Sequence, residues 1–243
     1  MFFSKEGKLT KSSRLPLLFF EQNYFRIFST YRKFKSPFDA VRRLERWYAG
    51  LFRYVDYKYL NLSKQSKYLL RNRNFLDVGC GFCPAIKHYE RWGFACYGID
   101  ISRYALSFVK RAVKAPLICG DIQSGIPFRV SFDLIACLEV LEHLENPDAA
   151  LQHIYDALRP SGLFFATTPN LNSKLPWFPP FKDPTHINVR SPKQWEASLK
   201  SVGFSAYKVE AFVFVPLLWR IVPRLCFIAT VPGGPSLLLV GWK

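Results

Sequence analysis

From residue 75 onward the chain alternates short apolar runs with amphipathic stretches, and this alternation constrains the fold more than any other feature. FLDVG (75–79), ACYGID (95–100), PLICGD (116–121), FDLIACLE (132–139) and GLFFATT (162–168) read as buried strands, each short, apolar and bounded by turn residues. PAIKHYERW (84–92), with proline in its first turn and Gly93 past its end, reads as a helix. So do SRYALSFVKRAV (102–113) and the stretch from Asn146-Pro147 to residue 158. Ser191-Pro192 opens a further helix ending at Gly203, and SAYKVEAFVFV (205–215) and SLLLVGW (236–242) finish the chain as two more strands. Repeated strand–helix alternation implies an α/β fold, a largely parallel sheet with helices on both faces. Ligands of such sheets bind beyond the carboxyl ends of the strands, where the strand order reverses.

Four acids fall at four strand ends: Asp77, Asp100, Asp121 and Glu139. The first belongs to Asp77-x-Gly79-x-Gly81, whose glycines let a backbone turn approach a ligand closely. Asp100 lies about 20 residues beyond that turn, the spacing at which an acid meets ribose hydroxyls. Asp121, with the Ile122 backbone, suits an adenine edge. A dinucleotide would set its pyrophosphate over the turn, where Asp77 repels it, and G-x-G-x-x-G fails because residue 84 is proline. S-adenosylmethionine carries a sulfonium and an ammonium instead, and an acid-rich rim suits both. The same turn contains Cys80-x-x-Cys83, the spacing of a redox pair. That chemistry needs an exposed thiolate of lowered pKa, and no Lys or Arg follows before Lys87. A zinc site would need a second such pair, which the chain lacks.

Residues 74–243 resemble a class I S-adenosylmethionine-dependent methyltransferase. The resemblance rests on LDVGCG, GIDIS, GDI, FDLIACLEVLEHLENP, L-R-P-S-G and TTPN in that order, and DPTHINVRSPKQWEASLKSVGF is similar to a segment of the ubiquinone-biosynthesis O-methyltransferases. It implies a Rossmann-like, seven-stranded, mainly parallel sheet with a terminal antiparallel strand (residues 74–243), preceded by a basic, aromatic helical extension or cap (residues 1–73). It also implies that Asp77, Gly79 and Gly81 hold the methionine part of the cofactor, Asp100 the ribose and Asp121 with Ile122 the adenine, with Leu138 and Glu139 beside the methionine end. The pattern departs at Cys83, where the family carries a third glycine. That departure leaves an inactive cofactor-binding scaffold as one alternative.

The sulfonium methyl is already electrophilic, so catalysis reduces to holding an acceptor in line and, for a protic acceptor, removing a proton. Candidates for the base are His143, Glu142 and His186. In CLEVLEHL, Glu139, Glu142 and His143 share one face if the segment turns helically. The O-methyltransferases that it resembles carry a similar E-x-x-E-H, associated there with a divalent metal, so these three are also metal candidates; a metal-free polar turn is the favoured reading. His88 and His153 fall inside amphipathic helices and read as structural. KLPWFPPF (174–181) reads as a lid over an apolar acceptor.

The expected reaction is methyl transfer to a small-molecule or lipid-like acceptor, at oxygen. A nucleic-acid methyltransferase is the alternative suggested by charge, although no N/D-P-P-Y/F motif follows the fourth strand, where CLEV stands. Of the net charge of +16, residues 1–74 supply +12, with 17 Lys/Arg against 5 Asp/Glu interleaved with Phe, Tyr and Trp. Three readings fit this third: a cap packed on the sheet domain, a peripheral membrane contact, and binding of a nucleic-acid backbone. A helix is expected from Ser36-Pro37 to residue 55, with a second near residues 60–70. Four of six cysteines (Cys80, Cys96, Cys119 and Cys137) lie within or at the ends of strand runs, as buried residues of a reducing, cytoplasmic protein do. LPLLFF (15–20) is too short for a signal sequence, and residues 211–231 are broken by Arg220, Arg224 and two prolines, so no membrane span is expected.

Overall fold

Ser36 and Pro37 start the first helix as their chemistry dictates. The computed structural model of the protein describes residues 35–64, 70, 72–174, 183, 185–215 and 227–243. In α1 (Pro37–Val55) the Ser36 side chain accepts from the Asp39 N–H and proline occupies the first turn. The helix widens into a π-type turn, Asp56–Leu60, and stops at Asn61 in the left-handed region. Its inner stripe, with Leu51, Phe52 and Val55 fully buried, contributes about 2 kcal/mol per side chain. Asp56, buried at the end of this stripe, meets His88 Nε2 at 2.7 Å and accepts from the Tyr89 hydroxyl at 3.2 Å. His88 also stacks on Phe52, so its role is structural.

The remaining elements are β1 (Asn74–Val78), α2 (Pro84–Trp92), β2 (Ala95–Asp100), α3 (Arg103–Val109), β3 (Leu117–Cys119), β4 (Phe132–Leu138), α4 (Pro147–Ala157), β5 (Leu158–Pro169), α5 (Pro192–Val202), β6 (Ala206–Val215), β7 (Phe227–Thr230) and β8 (Ser236–Trp242). The sheet order is β3-β2-β1-β4-β5-β8-β6-β7, with β1 to β5 mutually parallel and antiparallel pairing at β5–β8, β8–β6 and β6–β7. The chain builds outward from β1 to β3 and then returns to place β4 on the other side of β1. The order therefore reverses between β1 and β4.

Both faces of the sheet are covered. Phe75, Ala136 and Phe165 pack with α1, α2 and α3, whereas Leu76, Val78, Ile135, Cys137 and Phe164 pack with α4 and α5. At the edge holding the strand starts, Arg159 donates twice to Asp133 (3.1 and 2.9 Å), and Asp133 also accepts from the Asn74 N–H.

Three expectations need correction. The sheet has eight strands, because Phe227–Thr230 folds back on Phe212–Val215 as an edge strand; in sequence it lies hidden within a longer apolar run. Cys119 is exposed rather than buried, because β3 is the terminal strand at the other edge. The 102–113 helix stops at Val109. Of the helix expected near residues 60–70, the described residues show a 3₁₀ turn, Leu62–Lys64, and residues 65–69 lie outside the described residues. Residues 1–34 and 216–226 also lie outside them, as do 175–182, which include all of the expected lid (174–181) except Lys174. Among the described residues no helix is long and apolar enough to cross a membrane.

Replacing Asp56 with alanine strips the Tyr89 hydroxyl and the His88 ring of their partner in a closed contact. Urea unfolding of Asp56→Ala is expected to show a loss of about 2 kcal/mol, and Tyr89→Phe about half of that.

Candidate functional site

β1 ends in a turn that only particular residues tolerate. Gly79 (φ 67°) and Gly81 (φ 46°) adopt left-handed backbone, and a Cβ on Gly79 would drive into the Val140 side chain. The Gly79 and Cys80 N–H groups both donate to the Ile99 carbonyl, at 2.8 and 3.1 Å, pinning the turn to β2. Asp100, at the end of β2, accepts from the Gly81 N–H through Oδ2 and the Ser102 N–H through Oδ1, both at 2.7 Å. Two oxygens offer about four acceptor positions, so Asp100 keeps capacity for a ligand's hydroxyls.

Asp77 is the unusual member of the turn. It is 2% exposed, and its Oδ2 has no hydrogen-bond partner. Burial pushes its carboxyl well above the usual range, the Asp100 charge adds to the rise, and a hydrogen bond from the Ile86 N–H opposes it. An orphaned buried carboxylate oxygen beside a glycine cradle fits a cationic ligand. It does not fit a phosphate.

The rim continues in both directions. Gly120 donates to the Asp100 carbonyl, and Asp121 next to it caps the 3₁₀ turn Ile122–Ser124 by accepting from the Gln123 N–H at 2.9 Å. The Ile122 carbonyl accepts from His153 Nδ1, which fixes His153 as structural. Across the switch point Leu138 ends β4, and Glu139 (φ 54°) donates its N–H to the Thr167 carbonyl. Asp77, Gly79, Gly81, Asp100, Asp121, Ile122, Leu138 and Glu139 thus all lie along the carboxyl edge of β3, β2, β1 and β4.

Cys80 fills the space over Gly98, its sulfur 2.9 Å from where a Cβ there would stand. Both turn thiols are buried and shifted upward. Cys80 is raised by its contact with Cys83 and by burial, while Cys83 is raised by burial against the opposing pull of Cys80. Neither is a low-pKa redox thiol. Cys83 takes a left-handed backbone (φ 57°), as a glycine would, and caps α2.

A second cluster adjoins the rim. The segment after β4 makes one 3₁₀ turn, Leu141–His143, so Glu139 stays outside it. The expected grouping of Glu139, Glu142 and His143 is therefore corrected: Glu142 and His143 join His186, one donor atom from each lying within 4.8 Å of the others. Ile187 and Asn188 hold His186 there by donating their N–H groups to the Glu142 carbonyl. Glu142 is fully buried, neither carboxylate oxygen has a hydrogen-bond partner, and His186 Nε2 stands 3.9 Å from Oε1. Burial and then the Glu139 charge push Glu142 well above the ordinary carboxylate range.

His143 is oriented by Asp183 and Thr185, two residues to which the sequence motifs assign no role. Asp183 Oδ1 accepts from the Thr185 hydroxyl at 2.6 Å, and the His143 Nδ1 lies 2.8 Å from that hydroxyl oxygen and 3.2 Å from the Thr185 carbonyl. A carbonyl only accepts and this hydroxyl has already donated, so Nδ1 carries the proton and Nε2 does not. Burial, and then the proximity of His186, lower the His143 pKa to about 4. The ring is neutral at physiological pH. The D-x-T spacing, with Asp183 also accepting from the Thr185 N–H, was the available signal.

The comparisons bear on this geometry. A family profile described as "Methyltransferase domain" matches residues 45–209. A ubiquinone biosynthesis O-methyltransferase of Coxiella burnetii is 28% identical over 110 residues, covering 43% of this chain and 47% of that protein. One of Paramagnetospirillum magneticum is 27% identical over 163 residues, covering 60% and 65%. The chain thus spans about half to two-thirds of the length of these curated relatives. The plantazolicin methyltransferase BpumL, solved with a desmethylated plantazolicin analogue and S-adenosylhomocysteine, superposes with a TM-score of 0.62 at 17% identity, covering 91% of this chain and 93% of that one. At that identity the likeness is one of fold.

For an acid whose folded pKa is raised, the stability it contributes is present below the unfolded value and lost as pH rises through the folded one. Asp77→Asn is therefore expected to raise the melting temperature of the ligand-free protein at about pH 8, with a smaller effect near pH 4. The same variant is expected to bind S-adenosylmethionine about tenfold more weakly by calorimetry.

Proposed function

This chain belongs to the methyltransferase-domain family and its cofactor is S-adenosylmethionine, and we propose that it methylates an oxygen of a small-molecule or lipid-like acceptor with His143 as the proton acceptor. The observation that carries the reading is the Asp183–Thr185–His143 chain, which leaves an unprotonated Nε2 on a neutral imidazole beside the cofactor rim. The cofactor supplies an electrophilic methyl on a positive sulfur. Asp77 and the Gly79–Gly81 turn receive its methionine end, Asp100 its ribose, and Asp121 with the Ile122 backbone its adenine. Leu138 and Glu139, across the switch point, face the methyl side.

Transfer to a hydroxyl requires loss of a proton, and His143 takes it at Nε2 while Thr185 and Asp183 hold the ring in the tautomer that leaves Nε2 open to it. The relatives named as ubiquinone biosynthesis O-methyltransferases support oxygen as the accepting atom. The polar cluster supports a compact acceptor with a hydroxyl, since Glu142, Thr167 and Thr168 all present buried oxygens without hydrogen-bond partners.

One observation favours a second reading. Glu142, His143 and His186 form a carboxylate-and-two-imidazole donor set of the kind that holds a divalent cation. In that reading the three residues would hold a divalent cation, and the chemistry it would supply there is Lewis-acid polarisation.

Labelled-methyl incorporation from S-adenosylmethionine, screened on polar and lipid fractions of a cell extract, tests the function. Once an acceptor is found, His143→Ala is expected to lower kcat by about a hundredfold or more. S-adenosylhomocysteine affinity should stay within about twofold, because His143 lies outside the turn that holds it. Turnover that survives EDTA supports the proton-acceptor reading, and turnover lost to EDTA and restored by Mn²⁺ or Zn²⁺ supports the metal reading. A well-folded protein that binds no S-adenosylhomocysteine removes both.

A further inference from the structure

We propose that the α1–α2–α3 face of the protein docks on an anionic phospholipid bilayer, with Tyr57 in line with the basic stripe of α1 and Phe38 and Trp47 on its two flanks. Between residues 35 and 60 the exposed residues are six basic ones (Lys35, Arg42, Arg43, Arg46, Arg53 and Lys58) and those three aromatics. Phe38 is 62% and Tyr57 82% exposed.

The acids of the same elements are drawn inward. Asp39 accepts from the Lys35 N–H and lies near Arg42 and Arg43, at 3.7 and 3.6 Å. Glu45 is buried and pairs with Arg91. Asp56 is buried against His88 and Tyr89, and Glu90 accepts from the Lys114 N–H and lies near Lys87. Lys58 is paired with Glu210 and adds little outward charge. The neighbouring segment extends the positive surface, with Arg103 on α3 exposed and Lys110, Arg111 and Lys114 just past α3, while Arg91 on α2 is paired with Glu45. Among the described residues the exposed acids are Glu145 and Asp156, which lie beside and on α4, under the opposite face of the sheet. The α1–α2–α3 face thus shows, among those residues, exposed bases and no exposed acid, whereas the opposite face mixes Glu145 and Asp156 with Lys193 and Lys200 of α5.

The aromatics weigh against duplex nucleic acid. Its phosphodiester backbone gains from the arginines, but its bases are stacked inside and offer nothing to an exposed phenyl ring; a single strand, whose bases can stack on such rings, is separated by the test below. A lipid interface rewards both, because basic side chains reach the headgroup phosphates while Phe, Trp and Tyr leave water at the boundary. Phe227, 45% exposed on the edge strand β7, adds apolar surface beside α1, where Trp47 and Phe214 already bring rings within 6.0 Å. The α1 helix, of 19 residues, is about 28 Å long, enough to lie flat along a membrane surface.

The test is co-sedimentation of the full chain with vesicles of phosphatidylcholine alone and of phosphatidylcholine mixed with phosphatidylglycerol. Pelleting is expected with the mixed vesicles only, and added salt should weaken it. The double variant Arg42→Glu/Arg46→Glu is expected to bind the mixed vesicles about tenfold more weakly or worse. Phe38→Ser/Tyr57→Ser should weaken binding about fivefold. Both variants keep the wild-type affinity for S-adenosylhomocysteine, which certifies the fold and separates this proposal from the catalytic one. Equal binding to neutral vesicles, no binding to either kind, or anionic binding untouched by both double variants overturns the proposal. So does a duplex or single-stranded oligonucleotide that binds more tightly than the mixed vesicles and displaces them.

Discussion

A carboxylate placed in the sheet, with one oxygen left without a partner, is the constraint around which the rest of this site is arranged. Asp77 pairs in register with Gly98 and Ala136 on either side, deep in the parallel strands, where water cannot solvate it. Burial and the nearby Asp100 both disfavour its charge, and the Ile86 N–H at the start of α2 offsets only part of that penalty. A positive ligand is the natural complement. The left-handed turn at Gly79 and Gly81 lets such a ligand approach, and Asp100 clamps the turn by accepting from Gly81. An acid that destabilises the ligand-free protein is one that a cationic methyl donor can stabilise. A pyrophosphate would make its situation worse.

The sheet's connectivity explains why these groups converge. Because the strand order reverses between β1 and β4, the ends of those strands diverge into helices on opposite faces and leave a crevice at the edge. The acid turn lies on one side of it and Glu139 with the His143 cluster on the other. Val140 touching the space above Gly79 joins the two sides, so that residue 79 must be glycine for steric as well as conformational reasons.

Much of this was legible in the sequence, and the exceptions have physical causes. The parallel strands and their helices follow from apolar period, proline at helix starts and glycine after helix ends, and α2 and β2 fall where the pattern places them. The acids at the strand ends followed in turn, because topology converts chain position into an edge. The eighth strand did not, since FIAT has too few residues to show a period inside an apolar run and its partner β6 is needed to define it. The grouping of Glu142 and His143 with His186 was equally hidden. It depends on one residue, Glu139, adopting a left-handed backbone that shortens an apparent helix to a single turn. The Asp183–Thr185 pairing has a local signal in its D-x-T spacing, but the hydrogen bond from Thr185 to His143 spans about forty residues and no local pattern reports it. The inward turning of the α1 acids was invisible for the same reason, because composition gives the net charge and only packing decides which charges face water.

The selectivity of the acidic rim for a positively charged donor is the claim on which the functional reading rests. Isothermal titration of the full chain with S-adenosylmethionine, and separately with NAD as a phosphate-bearing adenosine ligand, measures it directly. One-to-one binding of S-adenosylmethionine with no detectable heat from NAD is the predicted result. NAD binding as tightly as S-adenosylmethionine, or more tightly, would contradict the account.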